Sequence, residues 1–230
     1  MAMEAQEFAG SHLRYLTVHP DGYDPNRKYP MVIMLHGFGA SMEDLAGLSP
    51  VINPRGYVYA FPNGPESLEL APGYVGYSWT HPERRRDPEE DAKSREKLLG
   101  FFGEVMDAYG VEPGNAVLGG FSQGGRMAYL CGLSKPDLFA GVVALGAAVF
   151  DTEHLLGLLP TERTQPVFVG HGEFDPQISV EQARMMRGFL EAEGYQTEYH
   201  EYAMGHEISR QLVGDLSAWL RGVLPPVEQG

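Results

Sequence analysis

The stretch Gly120-Phe121-Ser122-Gln123-Gly124-Gly125 decides the fold of this chain. It lies between the apolar run Ala116–Leu118, which predicts a strand, and Gln123–Leu133, which suits a helix. A serine in Gly-x-Ser-x-Gly between a strand and a helix occupies a sharp, strained turn that leaves its hydroxyl exposed. Glycines flank it because only residues without a Cβ leave room for the two backbones to cross. We therefore predict that Ser122 is a nucleophile, with an ordinary glycine-rich turn as the alternative.

Strands and helices alternate along most of the chain. Leu13–Val18 alternates in polarity and is bounded by a turn, which predicts an early strand at an edge of the sheet. Met31–Leu35 is continuously apolar, as in a central strand covered on both faces. Further strands are predicted at Tyr57–Phe61, Gly141–Leu145, Pro166–Val169 and Thr197–Tyr202, and helices over Leu98–Tyr109, Val180–Glu193 and Ile208–Val223. This order predicts an α/β protein with a mostly parallel central sheet and helices on both faces.

One segment does not follow this alternation. Residues 62–88 are rich in glycine, proline and aromatic residues and show neither the helical nor the strand period. A connection of this length is unusual within a compact domain and is typical of functional or mobile loops. We therefore expect an irregular excursion here.

Length and charge narrow the class of protein. The 230 residues suit a single α/β domain over 1–230, and 17 basic against 31 acidic residues give a net charge of −14. Such a charge disfavours nucleic acids and anionic membrane surfaces as partners. The single cysteine, Cys131, forms no intrachain disulfide, and the start Met1–Glu7 lacks the pattern of a signal peptide, so we expect a cytoplasmic protein. The most apolar stretch, Phe139–Phe150, is too short to cross a bilayer, which takes about 20 residues.

A serine nucleophile needs a base, and the base needs an orienting acid. Asp175 follows the predicted strand Pro166–Val169, and His206 follows the predicted strand that ends at Tyr202. In a parallel sheet both residues lie at the carboxyl edge, where Ser122 also lies. The order serine, acid, histidine along the chain favours Asp175 as the acid and His206 as the base.

Other residues compete for these roles. His36 and His171 also end strands, and their alternative role is that of hydrogen-bonded structural residues. Asp151 follows a strand and is the alternative acid, while Asp175 is otherwise a loop or cap carboxylate. The remaining histidines are interpreted as surface groups: His12, His19, His81, His154 and His200.

Acyl transfer also requires donors for the developing oxyanion. The backbone N–H of the residue after the nucleophile, Gln123, is one donor. The second is expected from the early loop His36–Gly39, where the N–H of Phe38 is best placed. A plain turn is the alternative interpretation of this loop.

Four blocks of the chain resemble the phospholipase/carboxylesterase family, which includes small bacterial carboxylesterases and acyl-protein thioesterases. The blocks are His36-Gly37-Phe38-Gly39, Gly120-Phe121-Ser122-Gln123-Gly124-Gly125, His171-Gly172-Glu173-Phe174-Asp175-Pro176 and Gly205-His206-Glu207-Ile208-Ser209. The resemblance runs from about Pro30 to Leu220 and implies an α/β-hydrolase fold without a large cap domain. It also implies a triad of Ser122, Asp175 and His206, with the amides of Phe38 and Gln123 as the oxyanion hole.

The chain departs from the family pattern in the segment 77–80. Members commonly carry a Trp-Phe-Asp-like segment that lines the acyl groove, whereas Tyr77-Ser78-Trp79-Thr80 keeps only the tryptophan. By resemblance, Trp79 is a substrate-binding residue, while the acyl-chain and thioester preferences stay open. The nearby Arg84-Arg85-Arg86 is interpreted as a solvated charge run, with steering of an anionic substrate as the alternative.

These observations predict a serine carboxylesterase that cleaves esters of short to medium acyl chains. Thioesters and lysophospholipids are further candidate substrates. A peptidase on the same fold and a non-catalytic binding protein are the alternatives. The mechanism needs no cofactor, and the histidines and carboxylates do not follow zinc-ligand spacings, so no metal is expected. The oligomeric state and the natural substrate stay open.

Overall fold

A computed structural model describes residues 3–85 and 87–227. Met1 and Ala2, part of the start considered above, and Arg86 lie outside these ranges. The strands are β1 (Glu4–Ala9), β2 (Arg14–His19), β3 (Met31–Leu35), β4 (Val58–Pro62), β5 (Glu66–Ala71), β6 (Tyr74–Ser78), β7 (Ala116–Phe121), β8 (Gly141–Leu145), β9 (Pro166–Gly172) and β10 (Gln196–Tyr202). The helices are α1 (Ser49–Ile52), α2 (Pro88–Tyr109), α3 (Gln123–Gly132), α4 (Thr152–Leu156), α5 (Val180–Ala192) and α6 (Arg210–Val223).

Eight strands form one central sheet in the order β1-β2-β4-β3-β7-β8-β9-β10. The strands from β4 to β10 in this order are parallel, whereas β2 is antiparallel to both β1 and β4. The prediction of a mostly parallel sheet is therefore confirmed. Strands β3 and β7 lie at its centre, and the carboxyl ends of all the parallel strands share one edge.

Helices cover the sheet on both faces, as predicted. Apolar residues of β3 alternate between two buried clusters, with Ile33 in one and Val32 in the other. The first cluster includes residues of α2, α3 and α5, and the second includes residues of α1 and α6. Central strands buried on both faces explain the continuous apolar runs in the sequence. Among the described residues, no helix has the length and apolar character needed to span a membrane.

Local sequence signals set the bounds of the longest helix. α2 begins with Pro88 at its first turn, and the Asp87 side chain accepts a hydrogen bond from the Glu89 N–H at 2.9 Å. It ends at Gly110, whose φ of 59° is a left-handed conformation that glycine adopts without steric cost. The predicted end of this helix is confirmed.

Two predictions about the first part of the chain are wrong. β2 is not an edge strand, because β1 pairs with it along its whole length and forms the edge. Nearly all of β1 is exposed, so it lacks the half-apolar alternation by which an edge strand is found in a sequence. Residues 62–88 are also not irregular throughout, because β5 and β6 form an antiparallel hairpin there. Most residues of β5 are at least partly exposed, which explains the missing period.

The turn between β7 and α3 depends on a close approach of backbones. A Cβ on Gly124 would lie less than 3.0 Å from the carbonyl oxygens of Leu35 and His36 at the end of β3. A Cβ on Gly120 would meet the backbone of Gly124 equally closely. The two glycines therefore allow α3 to begin directly above the central strands.

We expect Gly124→Ala to lower the free energy of unfolding by about 1–3 kcal/mol, because the added methyl group overpacks a rigid backbone crossing. Gly188→Ala is the matched control, since Gly188 lies in α5 with open space around it and the change should stabilise the helix by about 0.5–1 kcal/mol. Urea denaturation of both variants measures the difference. Equal stabilities for the two variants would contradict the crossing.

Candidate active site

Three loops at the carboxyl edge of the sheet bring Ser122, Asp175 and His206 together. Ser122 follows β7, Asp175 follows β9, and His206 follows β10. Ser122 has a φ of 55° and is the only non-glycine residue with positive φ in the described ranges. This is the strained turn that the Gly-x-Ser-x-Gly pattern predicts.

The three side chains form one hydrogen-bonded chain. His206 Nε2 lies 2.8 Å from Ser122 Oγ, and His206 Nδ1 lies 2.6 Å from Asp175 Oδ2. With the proton on Nδ1, the imidazole donates to the carboxylate and offers Nε2 as an acceptor for the serine hydroxyl. This arrangement is able to accept a proton from Ser122.

The carboxylate of Asp175 is held in its ionised form. Burial raises its pKa, but hydrogen bonds from the Ile178 N–H, His206 and the Gln177 N–H outweigh burial and bring the pKa below the ordinary value. The two backbone N–H groups donate to Oδ1 at 2.8 and 2.9 Å, so Oδ2 is left for His206. The negative charge therefore faces the imidazole, where it favours the protonated ring.

Ser122 and His206 open into a cavity of about 1120 Å³. Apolar side chains, among them Leu45, Leu48 and Ile208, line part of it. The backbones of Phe38 and Gln123 belong to lining residues, and Gln123 is the first residue of α3. The first N–H groups of a helix have no partner within the helix and attract negative charge. The two predicted oxyanion donors thus belong to residues that line the same cavity as Ser122.

The competing histidines lie elsewhere or have other partners. The His36 ring is buried: its Nε2 accepts from the Gly64 N–H at 2.9 Å, and its Nδ1 lies 2.7 Å from the Gly37 carbonyl oxygen. The buried His171 contacts the Ile178 carbonyl oxygen through Nε2 at 2.8 Å. Both have the structural contacts that were the alternative to a base. His19 is not a surface group as predicted, because it is buried and its Nε2 bonds to the Tyr109 hydroxyl at 2.8 Å.

The alternative acid lies outside this hydrogen-bonded chain. Asp151 is exposed and caps the short helix α4, where its Oδ1 accepts from the His154 N–H at 2.9 Å. It has the role of a cap carboxylate, so it makes a suitable control for Asp175.

Trp79 differs from its predicted place in the groove. Its side chain is fully buried in the core, and its Nε1–H donates to the His36 carbonyl oxygen at 2.8 Å. The cavity lining among the described residues does not include it. The physical reason is that the hairpin β5–β6 turns back into the core at this point, so the indole supports the loop after β3 instead of contacting substrate.

The arginine run has mixed surroundings. Arg84 and Arg85 are exposed and line the cavity, and Arg84 pairs with Glu90 at 2.7 Å. The Arg85 guanidinium lies 4.6 Å from the centre of the Phe38 ring. The third member of the run, Arg86, lies outside the described residues. Arg84 therefore has the carboxylate partner that is typical of a solvated charge run.

Sequence reasoning missed a set of polar groups behind the cavity. Ser78, Thr80 and the side chain of Gln123 hydrogen-bond to one another. The signal available in the sequence was the departure at 77–80, but only its tryptophan was interpreted. Across residues 3–85 and 87–227, no group of three or more His, Cys, Asp or Glu side chains is arranged to hold a metal ion.

The central sheet, its two layers of helices and the serine turn define an α/β-hydrolase fold. A family model described as phospholipase/carboxylesterase matches residues 23–224. The chain belongs to this family, and it is a hydrolase. The predicted family and fold class are confirmed.

Individual relatives support this assignment. The chain is 28% identical to acyl-protein thioesterase 1 of Mycosarcoma maydis over 94% of this chain and 99% of that protein. It is 31% identical to acyl-protein thioesterase 1 of Gibberella zeae, over 62% of each chain. The crystal structure of esterase PE8 has the same fold, with a TM-score of 0.78 and 23% identity over 97% of this chain and all of that chain.

The buried His36 predicts a loss of stability in mild acid. Burial lowers the pKa of His36 from 6.5 to about 4, and a proton on Nε2 would displace the Gly64 N–H that donates to it. The unfolded chain binds this proton below pH about 6.5 and the folded chain does not, so stability decreases as the pH falls through this window. The loss is on the order of 3 kcal/mol at pH 4.

The measurement is urea denaturation at several pH values between 7 and 4, on the wild type and on His36→Gln. Glutamine has no proton to gain, so the variant should lose less stability over this range, whatever its stability at pH 7. The same pH dependence in both proteins would show that His36 does not contribute.

Proposed function

We propose that the protein is a serine carboxylic ester hydrolase that works through an acyl-enzyme on Ser122. The observation that supports this best is the hydrogen-bonded chain from Ser122 Oγ through His206 to Asp175, with distances of 2.8 and 2.6 Å. It lies in a cavity large enough for an ester of moderate size. The proposed roles are nucleophile for Ser122, general base for His206 and orienting acid for Asp175.

In the first half of the proposed reaction, Ser122 Oγ attacks the carbonyl carbon of the ester while its proton moves to His206 Nε2. The carbonyl oxygen becomes an oxyanion, and Asp175 stabilises the imidazolium across the 2.6 Å contact. The bond from carbon to the leaving oxygen then breaks, and His206 gives its proton to the departing alcohol. The acyl group remains on Ser122 as an ester.

In the second half, His206 removes a proton from a water molecule, and the resulting hydroxide attacks the acyl carbon. Ser122 Oγ leaves and recovers its proton from the imidazolium, so the carboxylic acid is released and the enzyme is regenerated. The backbone N–H groups of Phe38 and Gln123 stabilise the oxyanion in both halves. Because these donors belong to the backbone, their role does not depend on either side chain.

The proposed substrates are esters with short to medium acyl chains. The cavity combines apolar residues such as Leu45 and Leu48 with charged residues such as Asp44 and Arg84, so it suits an acyl chain joined to a polar group. Thioesters are included because the two named relatives are acyl-protein thioesterases. Turnover of a nitrophenyl ester beside a matched thioester separates the two reactions, and a peptide library tests the peptidase alternative.

We also propose a single domain over 1–230 and a cytoplasmic location. One sheet and its covering helices account for most of the described residues. Cys131 is buried, and burial raises the pKa of its thiol to about 12, so the reactive thiolate is scarce at neutral pH. Such a thiol is compatible with a reducing compartment and forms no intrachain bridge.

Ser122→Ala tests the nucleophile. We expect a loss of ester turnover of about 10⁶-fold, the loss found for the equivalent change in another serine hydrolase. A thermal melt should stay close to that of the wild type, because a hydroxyl at the cavity contributes little to packing. More than a few per cent of the wild-type activity in pure, folded variant would rule out Ser122.

Asp175→Asn tests the orienting acid, with Asp151→Asn as the matched control. An amide keeps the shape of the carboxylate but does not stabilise the imidazolium, so turnover should fall by up to about 10⁴-fold. Asp151→Asn should retain wild-type turnover, because asparagine also caps helices. The reverse result, with only Asp151→Asn inactive, would move the acid to Asp151 while Ser122 remained the nucleophile.

A further inference from the structure

The geometry points to the segment Gly76–Thr80, the 76–80 segment, as the element that positions both oxyanion donors. This inference rests on the proposed function, since it concerns the amides of Phe38 and Gln123. The two amides lie on different elements, one on the loop after β3 and the other at the start of α3. An oxyanion hole works only when its donors are held within about 0.5 Å of their places. A part of the chain that bonds to both elements therefore determines their separation.

The first contact joins the 76–80 segment to the loop that carries Phe38. The Gly39 N–H donates to the Tyr77 carbonyl oxygen at 2.8 Å, and the Tyr77 N–H donates to the Ala40 carbonyl oxygen at 2.8 Å. These bonds extend β6 by one antiparallel bridge onto the loop. A Cβ on Gly76 would lie less than 3.0 Å from the carbonyl group of Gly39, so the loop rests directly on the backbone of β6.

The second contact joins the same segment to the start of α3. The side chain of Gln123 accepts from the Trp79 N–H at 3.2 Å, and its Nε2 donates to the Thr80 hydroxyl at 3.1 Å. Thr80 is almost fully buried, so an unpaired donor here would carry a desolvation cost. These bonds hold the residue whose own N–H is the second proposed donor.

Trp79 anchors the segment in the core. Its indole is fully buried, its Nε1–H donates to the His36 carbonyl oxygen at 2.8 Å, and its own carbonyl oxygen accepts from the Ser94 hydroxyl of α2. The loop after β3, α2 and α3 are therefore all hydrogen-bonded to five consecutive residues. This explains why the tryptophan is kept although it lies away from the cavity lining. The residues of the 76–80 segment act as positioning residues, because they reach the oxyanion through other groups.

Gly76→Ala tests the contact with the loop. The added methyl group displaces Gly39 and with it the Phe38 amide, so kcat for a nitrophenyl ester should fall by about 10- to 100-fold, part of the loss seen when one oxyanion donor is removed. KM and the pH dependence of kcat should not change, because neither ester binding nor His206 is affected. Val75→Ala on the same strand is the matched control, since the Val75 side chain is half exposed, and it should keep wild-type kcat.

Thr80→Val and Thr80→Ser test the contact with α3, and they keep the test decisive if Gly76→Ala does not fold. Valine has the shape of threonine without the hydroxyl that accepts from Gln123, so kcat should fall several-fold at unchanged KM. Serine keeps the hydroxyl and should restore most of kcat. A purely structural role would instead lower thermal stability in both variants and leave kcat of the folded protein unchanged.

Two results would overturn the inference. The first is a folded Gly76→Ala with wild-type kcat together with Thr80→Val equal to Thr80→Ser. The second is a change confined to KM, which would make the segment a part of ester binding. Either result would leave the proposed function intact as long as Ser122→Ala is inactive, whereas an active Ser122→Ala would remove the proposed function itself.

Discussion

The backbone turn at Ser122 is the constraint on which the rest of the structure depends. Its φ of 55° is a conformation that residues with a Cβ rarely adopt and that costs about 1–3 kcal/mol. The turn persists because the Ser122 N–H donates to the Leu145 carbonyl oxygen at 2.8 Å and because Gly120 and Gly124 allow β7, α3 and β3 to lie in close contact. Central strands buried on both faces supply the free energy that offsets this strain.

The parallel sheet converts this turn into a site. His206 is 84 residues from Ser122 and 31 residues from Asp175 along the chain, yet the three side chains lie within hydrogen-bonding distance of one another. They meet because β7, β9 and β10 all end at the same edge. Burial acts on two ionisable groups at this edge with opposite results. Hydrogen bonds from backbone N–H groups and His206 keep Asp175 ionised, whereas desolvation keeps His36 neutral.

The hairpin β5–β6 gives the site its second level of organisation. Its two strands pair only with each other, yet β6 continues into the 76–80 segment and bonds to the loop after β3 and to α3. A short insertion thereby contacts the two elements on which the proposed oxyanion donors lie. In the proposed mechanism, these donors must be in place before the charge develops, so rigidity behind the cavity matters as much as the residues that line it.

The sequence by itself determined the central elements of the fold, because their signals are local. Continuous apolar runs identify β3 and β8, glycine identifies the end of α2, and the Gly-x-Ser-x-Gly pattern places Ser122 between a strand and a helix. The predicted roles of Ser122, Asp175 and His206 rest on chain order and stay predictions. Only the tertiary structure decided that β1 covers the edge of the sheet, that His19 is buried and that Trp79 lies beneath the loop and away from the cavity. These features depend on contacts between residues far apart in the chain, which composition and periodicity do not encode.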